Sequence, residues 1–84
     1  MKRRKWSQEE DDLVCEFYIR NKEAKKSDFD KLYQSFIDKG FERSWKSIKA
    51  RYLNYKYIDV QTGLSHYNRQ QEETYHRIIQ RVTR

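Results

Sequence analysis

From Arg43 to Tyr57 the chain carries five basic residues and no acidic one, and its large apolar residues Trp45, Ile48, Tyr52 and Tyr55 recur at helical spacing. That pattern predicts a helix with an aromatic seam on one side. The other side presents Lys46, Lys49, Ala50, Leu53 and either Lys56 or Tyr57. Such a helix packs into a core through its seam and still offers a basic face to a polyanion.

The remaining sequence has to complete that core within 84 residues. A chain this short buries a limited share of its surface and depends on large side chains. Two Trp, seven Tyr and four Phe supply them. Disulfides cannot contribute, because Cys15 is the single cysteine. A lone thiol fits a reducing compartment, cytosol or nucleus. It reads as a small apolar residue beside the first helix's stripe. His66 and His76 are too far apart in sequence to complete a zinc set with it, so no metal or cofactor is expected. Proline is absent and glycine occurs twice, at Gly40 and Gly63, which argues for an all-α fold without a phosphate-binding loop. No apolar run reaches the length of a membrane span.

Net charge is +6, and its placement is uneven. Residues 1–5 carry +4 and residues 6–21 carry −4, while residues 43–57 hold +5. A basic excess of this kind points first to nucleic acid and second to an anionic membrane. The run Lys2-Arg3-Arg4-Lys5 reads either as a solubilising or nuclear-import tail, or as an arm in which Arg3 and Arg4 reach a DNA backbone or minor groove.

Four helices are expected. Ser7 followed by Glu10 has the capping-box pattern, with Glu9, Asp11 and Asp12 in the favourable first turn. Leu13, Val14, Phe17 and Tyr18, joined by Trp6, form this helix's stripe. Ser27, with Asp30 three residues on, is the expected cap of a second helix. Phe29, Leu32, Tyr33, Phe36 and Ile37 mark its buried face, and Gly40 its end. Ser44 caps the third helix, which is expected to fade after Tyr57, with a loop around 60–64. A fourth helix is expected over 68–82, capped by Ser65 or Asn68. Its stripe of Tyr75, Ile78, Ile79 and Val82 packs on the core, with Leu64 and Tyr67 beneath its start, or on a second copy or another protein. The organisation predicted is an arm over 1–5, a three-helix unit over 6–58, and a loop with a C-terminal helix over 59–84.

The phrase Trp6-Ser7-Gln8-Glu9-Glu10-Asp11-Asp12-Leu13-Val14 resembles the opening of a Myb/SANT repeat. Arg43-Ser44, with Ser47-Ile48-Lys49-Ala50-Arg51-Tyr52 after it, is similar to that family's third helix. The resemblance covers residues 6–57. It departs in having Phe29 and Tyr52 where the family has tryptophan, a longer segment from Phe29 to Arg43, and the added residues 58–84. It implies a helix-turn-helix variant with a core built on Trp6, Phe29 and Tyr52. It implies an ion pair from Arg51 to Glu10 or Asp11. It also implies double-stranded DNA binding in a nuclear transcription or chromatin factor.

The residues lead to the same face without the resemblance. A helix fits the major groove, where Lys46, Lys49 and Lys56 meet phosphates or guanine edges. Asn54 can pair with adenine, and Ala50 and Leu53 suit a thymine methyl. Three lysines on a helix are often only a solvated surface, but here no acid offsets them. The rival within the same fold is a SANT-type module that binds histone tails or other chromatin proteins, and the basic face opposes it. A basic adaptor bundle that binds anionic membranes or acidic protein surfaces ranks lower, since the aromatic residues fall on core faces. No nucleophile–base pair or cofactor loop suggests an enzyme.

Overall fold

The computed structural model describes residues 5–60 and 69–82, and these form four α-helices and no strand. Helix α1 spans Gln8–Arg20, α2 Lys26–Asp38, α3 Trp45–Val60 and α4 Arg69–Val82.

Local chemistry sets most of the ends. The Ser7 hydroxyl accepts from the Glu10 N–H at 3.2 Å, and the Glu10 carboxylate accepts from the Ser7 N–H at 2.9 Å. Both halves of the expected capping box are therefore present. Helix α2 is capped two residues before the expected position, at Lys25 rather than Ser27. Asp28 accepts from the Lys25 N–H at 2.9 Å, so a first-turn carboxylate closes the helix without a capping hydroxyl. At its other end Gly40 takes φ +78°. The Gly40 N–H donates to Ile37 O and the Phe41 N–H to Phe36 O, each at 2.9 Å. That is a Schellman motif, and Phe41 closes it by packing edge-on against Phe36 at 5.6 Å between centroids. Ser44 caps α3 through the Ser47 N–H at 3.1 Å. The expected caps of α4, Ser65 and Asn68, lie outside the described residues, as do Leu64 and Tyr67.

Helix α3 runs past Tyr57 to Val60, a turn farther than its sequence pattern predicts. Ile58 continues the buried face of Ile48, Tyr52 and Tyr55. Asp59 is held from two sides, by Tyr18 Oη of α1 at 2.7 Å and Tyr75 Oη of α4 at 2.6 Å. An acid breaks the apolar periodicity in sequence but is a structural residue once two hydroxyls reach it.

The core gathers Val14, Cys15 and Tyr18 of α1, Phe29, Leu32 and Phe36 of α2, the seam of α3, and Tyr75 and Ile78 of α4. Phe29 and Tyr52 pack edge-to-face at 4.7 Å between centroids. Trp6 lies elsewhere, edge-on to Phe36 at 5.8 Å, with the Arg43 and Arg51 guanidinium carbons 4.7 and 5.0 Å from its ring centroid. Trp45 is half-buried at the rim of the core, its indole N–H donating to Asp30 at 3.1 Å. Ile37, expected in the α2 stripe, is 48% exposed instead, because it lies at the edge of a stripe whose middle, Phe29, Leu32 and Phe36, is what packs inward.

Helix α4 packs within the same chain, most extensively on α1 and also on α3. Its contacts are polar as well as apolar. Gln8 donates to the Thr74 hydroxyl at 2.7 Å, and Gln70 donates to Trp6 O at 3.2 Å and to the Asp11 carboxylate. Arg77 pairs with Asp12 at the rim.

Asp11 is fully buried and accepts from Arg51 Nε at 2.7 Å, Arg51 Nη2 at 3.0 Å, Tyr55 Oη at 2.9 Å and Gln70. Removing one member of a buried ion pair leaves an uncompensated charge and costs roughly 3–5 kcal/mol. Asp11→Ala is expected to destabilise by about that amount in urea titrations followed by circular dichroism. Asp12→Ala breaks a rim pair with Arg77 and an exposed hydrogen bond from Gln8, and is expected to cost about 1 kcal/mol. Equal costs would show that the buried carboxylate does not organise the fold.

Candidate nucleic-acid interface

The five basic residues of the 43–57 segment divide into two sets. Arg43 and Arg51 point inward. Arg43 grips Glu10 through Nε at 2.6 Å and Nη2 at 3.1 Å, and it also donates to Lys5 O at 2.9 Å. Arg51 takes Asp11, one of the two partners expected for it. The planar guanidinium suits both roles, since it makes two parallel hydrogen bonds to a carboxylate while stacking on the Trp6 face.

Lys46, Lys49 and Lys56 point outward and are exposed. Among the described residues no carboxylate lies within ion-pair distance of any of them. Ala50 is exposed between them. Leu53 and Asn54 are half-buried, so the face is narrower than helical spacing predicts. Leu53 leans against the core, and Asn54 lies on the flank of the face opposite Lys49 and Lys56. Tyr57 is half-buried too, and Val60 extends the surface as an apolar residue 51% exposed. Arg3 and Arg4 lie outside the described residues.

Beside this face runs a groove of about 380 Å³, between α3 and the start of α2. Lys22, Lys26, Lys49 and Lys56 stand at its edge, and Phe29, Trp45, Tyr52 and Leu53 line its base. Lys49 Nζ lies 5.3 Å from the Trp45 ring centroid. The Tyr52 hydroxyl fixes the far wall. It sits 2.7 Å from Asn21 O and 2.9 Å from Lys22 O, and accepts from the Ala24 N–H at 3.3 Å. Lys22 is also 3.5 Å from Asp59. This gathering of lysines from two helices is not visible in the linear charge pattern, where residues 22–42 balance to zero. The Glu10–Arg43 pair is equally hidden, since it joins residues 33 apart in sequence.

The interior groups are tuned for structure. Burial raises the Cys15 thiol to about 12, and the neighbouring Asp12 and Asp11 add to that, so it stays protonated and inert. Burial, together with hydrogen bonds to Asp59, pushes the Tyr18 and Tyr75 hydroxyls up. Among the described residues no group of three or more His, Cys, Asp or Glu is placed to hold a metal ion. No helix of the described residues is long and apolar enough to cross a membrane. The chain matches no protein-family model, no curated protein and no solved structure.

Burial alone would raise the Glu10 carboxyl, but hydrogen bonds from Arg43 and Ser7 and the Arg43 charge outweigh it, and its pKa falls from 4.5 to about 2. Between these values the unfolded chain takes up a proton that the folded chain refuses. The stabilisation is whole above 4.5 and is lost as pH falls through about 2. Its size is on the order of 3 kcal/mol. Asp59, also held below the usual carboxylate range despite its burial, acts in the same direction. Glu10→Gln is therefore expected to lower stability near neutrality and to flatten the acid limb of a stability–pH profile. An unchanged acid limb would show that the Arg43 pair is not what sets it.

Proposed function

We propose that the outward face of α3 binds double-stranded DNA, with Lys46, Lys49 and Lys56 on phosphates or guanine edges and with Ala50, Leu53 and Asn54 toward bases. The observation that carries this reading is the division of the cations: both arginines of the segment are consumed by buried carboxylates, while its three lysines stand exposed and unneutralised. A protein surface with no structural use for such charge is well suited to displace counterions from a phosphate backbone.

The arrangement also supports a Myb-like reading of the fold, with α2 and α3 as a helix-turn-helix variant and α4 as an addition. The Arg51–Asp11 pair and the Phe29–Tyr52 contact support it, while Trp6 sits on Phe36, Arg43 and Arg51 rather than with those two rings. A nuclear transcription or chromatin factor is the setting that fits. A basic peptide such as a histone tail meets like charge on α3, which disfavours the alternative of a tail-binding module. Arg3 and Arg4 remain candidate backbone contacts.

Three α3 lysines and one from the adjoining turn amount to about four neutralised phosphates, for which log K falls with log salt at a slope of roughly −3 to −4. Fluorescence anisotropy with a duplex selected from a random library measures it. Lys49→Ala and Asn54→Ala are expected to weaken binding to that duplex by about 1–3 kcal/mol each, with melting unchanged. Affinity indifferent to salt would overturn the proposal. Loss of binding on removing residues 2–5, with both α3 variants intact in affinity, would move the site to the arm.

A further inference from the structure

The groove beside α3 has a property that phosphate binding does not require. Its base is apolar: Phe29 and Tyr52, almost fully buried and in edge-to-face contact, underlie it, and the half-buried Trp45, 5.9 Å from Phe29 between centroids, and Leu53 supply its open apolar surface. A sugar–phosphate backbone brings charge to the rim but no group that covers such a floor. A peptide with carboxylates on both sides of one bulky apolar side chain satisfies both parts. The volume of about 380 Å³ suits a single large side chain with its flanking backbone.

The rim chooses the sign of the partner. Lys26, Lys49 and Lys56 stand exposed and without a carboxylate partner among the described residues, against one acid at the edge, Glu23. Lys26 is the first residue of α2, so the helix dipole adds to the positive potential there. The walls are set in advance. The Tyr52 hydroxyl ties down Asn21, Lys22 and Ala24 on one side, and the Trp45 indole is anchored to Asp30 on the other. A preformed site spends little ordering entropy on its ligand.

We infer that this groove is a docking site for an acidic peptide segment of a partner protein, which inserts one aromatic or large aliphatic side chain against Trp45 and Leu53 while its carboxylates meet Lys26, Lys49 and Lys56. Lys49, Leu53 and Lys56 belong both to this groove and to the face assigned to DNA, so the acidic segment and the duplex exclude each other. The peptide site stands on the groove alone; only the exclusion rests on the DNA reading.

The test uses the full chain and a labelled synthetic peptide of Asp, Glu and Ser around one central Phe. Binding is read by anisotropy and by the fluorescence of Trp45, which lines the groove. The Phe peptide is expected to bind, and its Phe→Ala counterpart to bind about tenfold more weakly or worse. Lys26→Glu is expected to cost the Phe peptide a similar factor. That variant places an acid in the first turn of α2, where the dipole favours it, so the fold is retained. Saturating duplex is expected to release the peptide. Equal affinity for the Phe and Ala peptides would reduce the interaction to charge alone and overturn the proposal. Affinity unchanged by Lys26→Glu, or a duplex that perturbs the groove when the peptide does not bind, would also overturn it. A ternary complex would remove the exclusion. Failure of any duplex to bind would sink the DNA reading while the peptide result is judged separately.

Discussion

A carboxylate with no exposed surface holds this fold together. Asp11 lies inside the bundle and collects hydrogen bonds from α3 and α4 at once. Desolvating such a charge costs several kcal/mol, and the return depends on every lone pair finding a donor in good geometry. Arg51, Tyr55 and Gln70 provide that. The arrangement fixes more than stability. Arg51 and Tyr55 are four residues apart on α3, so both reach Asp11 only when the helix is rotated in one way. That rotation sends the tyrosine seam inward and the lysines outward. The second polar node, Asp59 between Tyr18 and Tyr75, fixes the other end of the same helix. The exposed face of α3 follows from the buried Asp11 at its back and from its own half-buried Asp59 near its end.

Much of this was readable from the chain because it is local. The seam at 48, 52 and 55, the Ser7–Glu10 box, the Ser44 cap and the turn at Gly40 depend on periodicity or on backbone needs that a few neighbouring residues meet. The readings that needed correction depend on partners distant in sequence. Asp28 displaced Ser27 as the acceptor at the start of α2, because a carboxylate three residues into a helix reaches back to the preceding N–H as well as a hydroxyl does. Helix α3 outlasted its apolar pattern because Asp59 found two hydroxyls on other helices. Ile37 kept its place in the repeat but lost its neighbours, since a helix stripe wider than the partner surface leaves one edge in water. The choice of α4 between its own chain and another was open in sequence, because an apolar stripe states what it avoids and not what it meets.

The site was legible in a similar proportion. Linear charge identified the 43–57 segment but counted five cations where three are available outside. It could not see that lysines of the α1–α2 turn and of α2 come alongside those of α3, because that juxtaposition joins residues more than twenty positions apart in sequence. Nor could it show that Leu53, taken as part of an outward face, forms the wall of a groove.

The sorting of cations by type has a consequence of its own. Every described lysine is exposed, whereas the cations that enter the interior, Arg43 and Arg51, are arginines. Amines and guanidiniums differ in reactivity, so the domain's surface potential and its internal scaffold answer to different chemistry. Acetyl groups placed on lysines would discharge the face while leaving the buried pairs whole. Reversible modification of these amines would change the charge of the outer face without unfolding and refolding the protein.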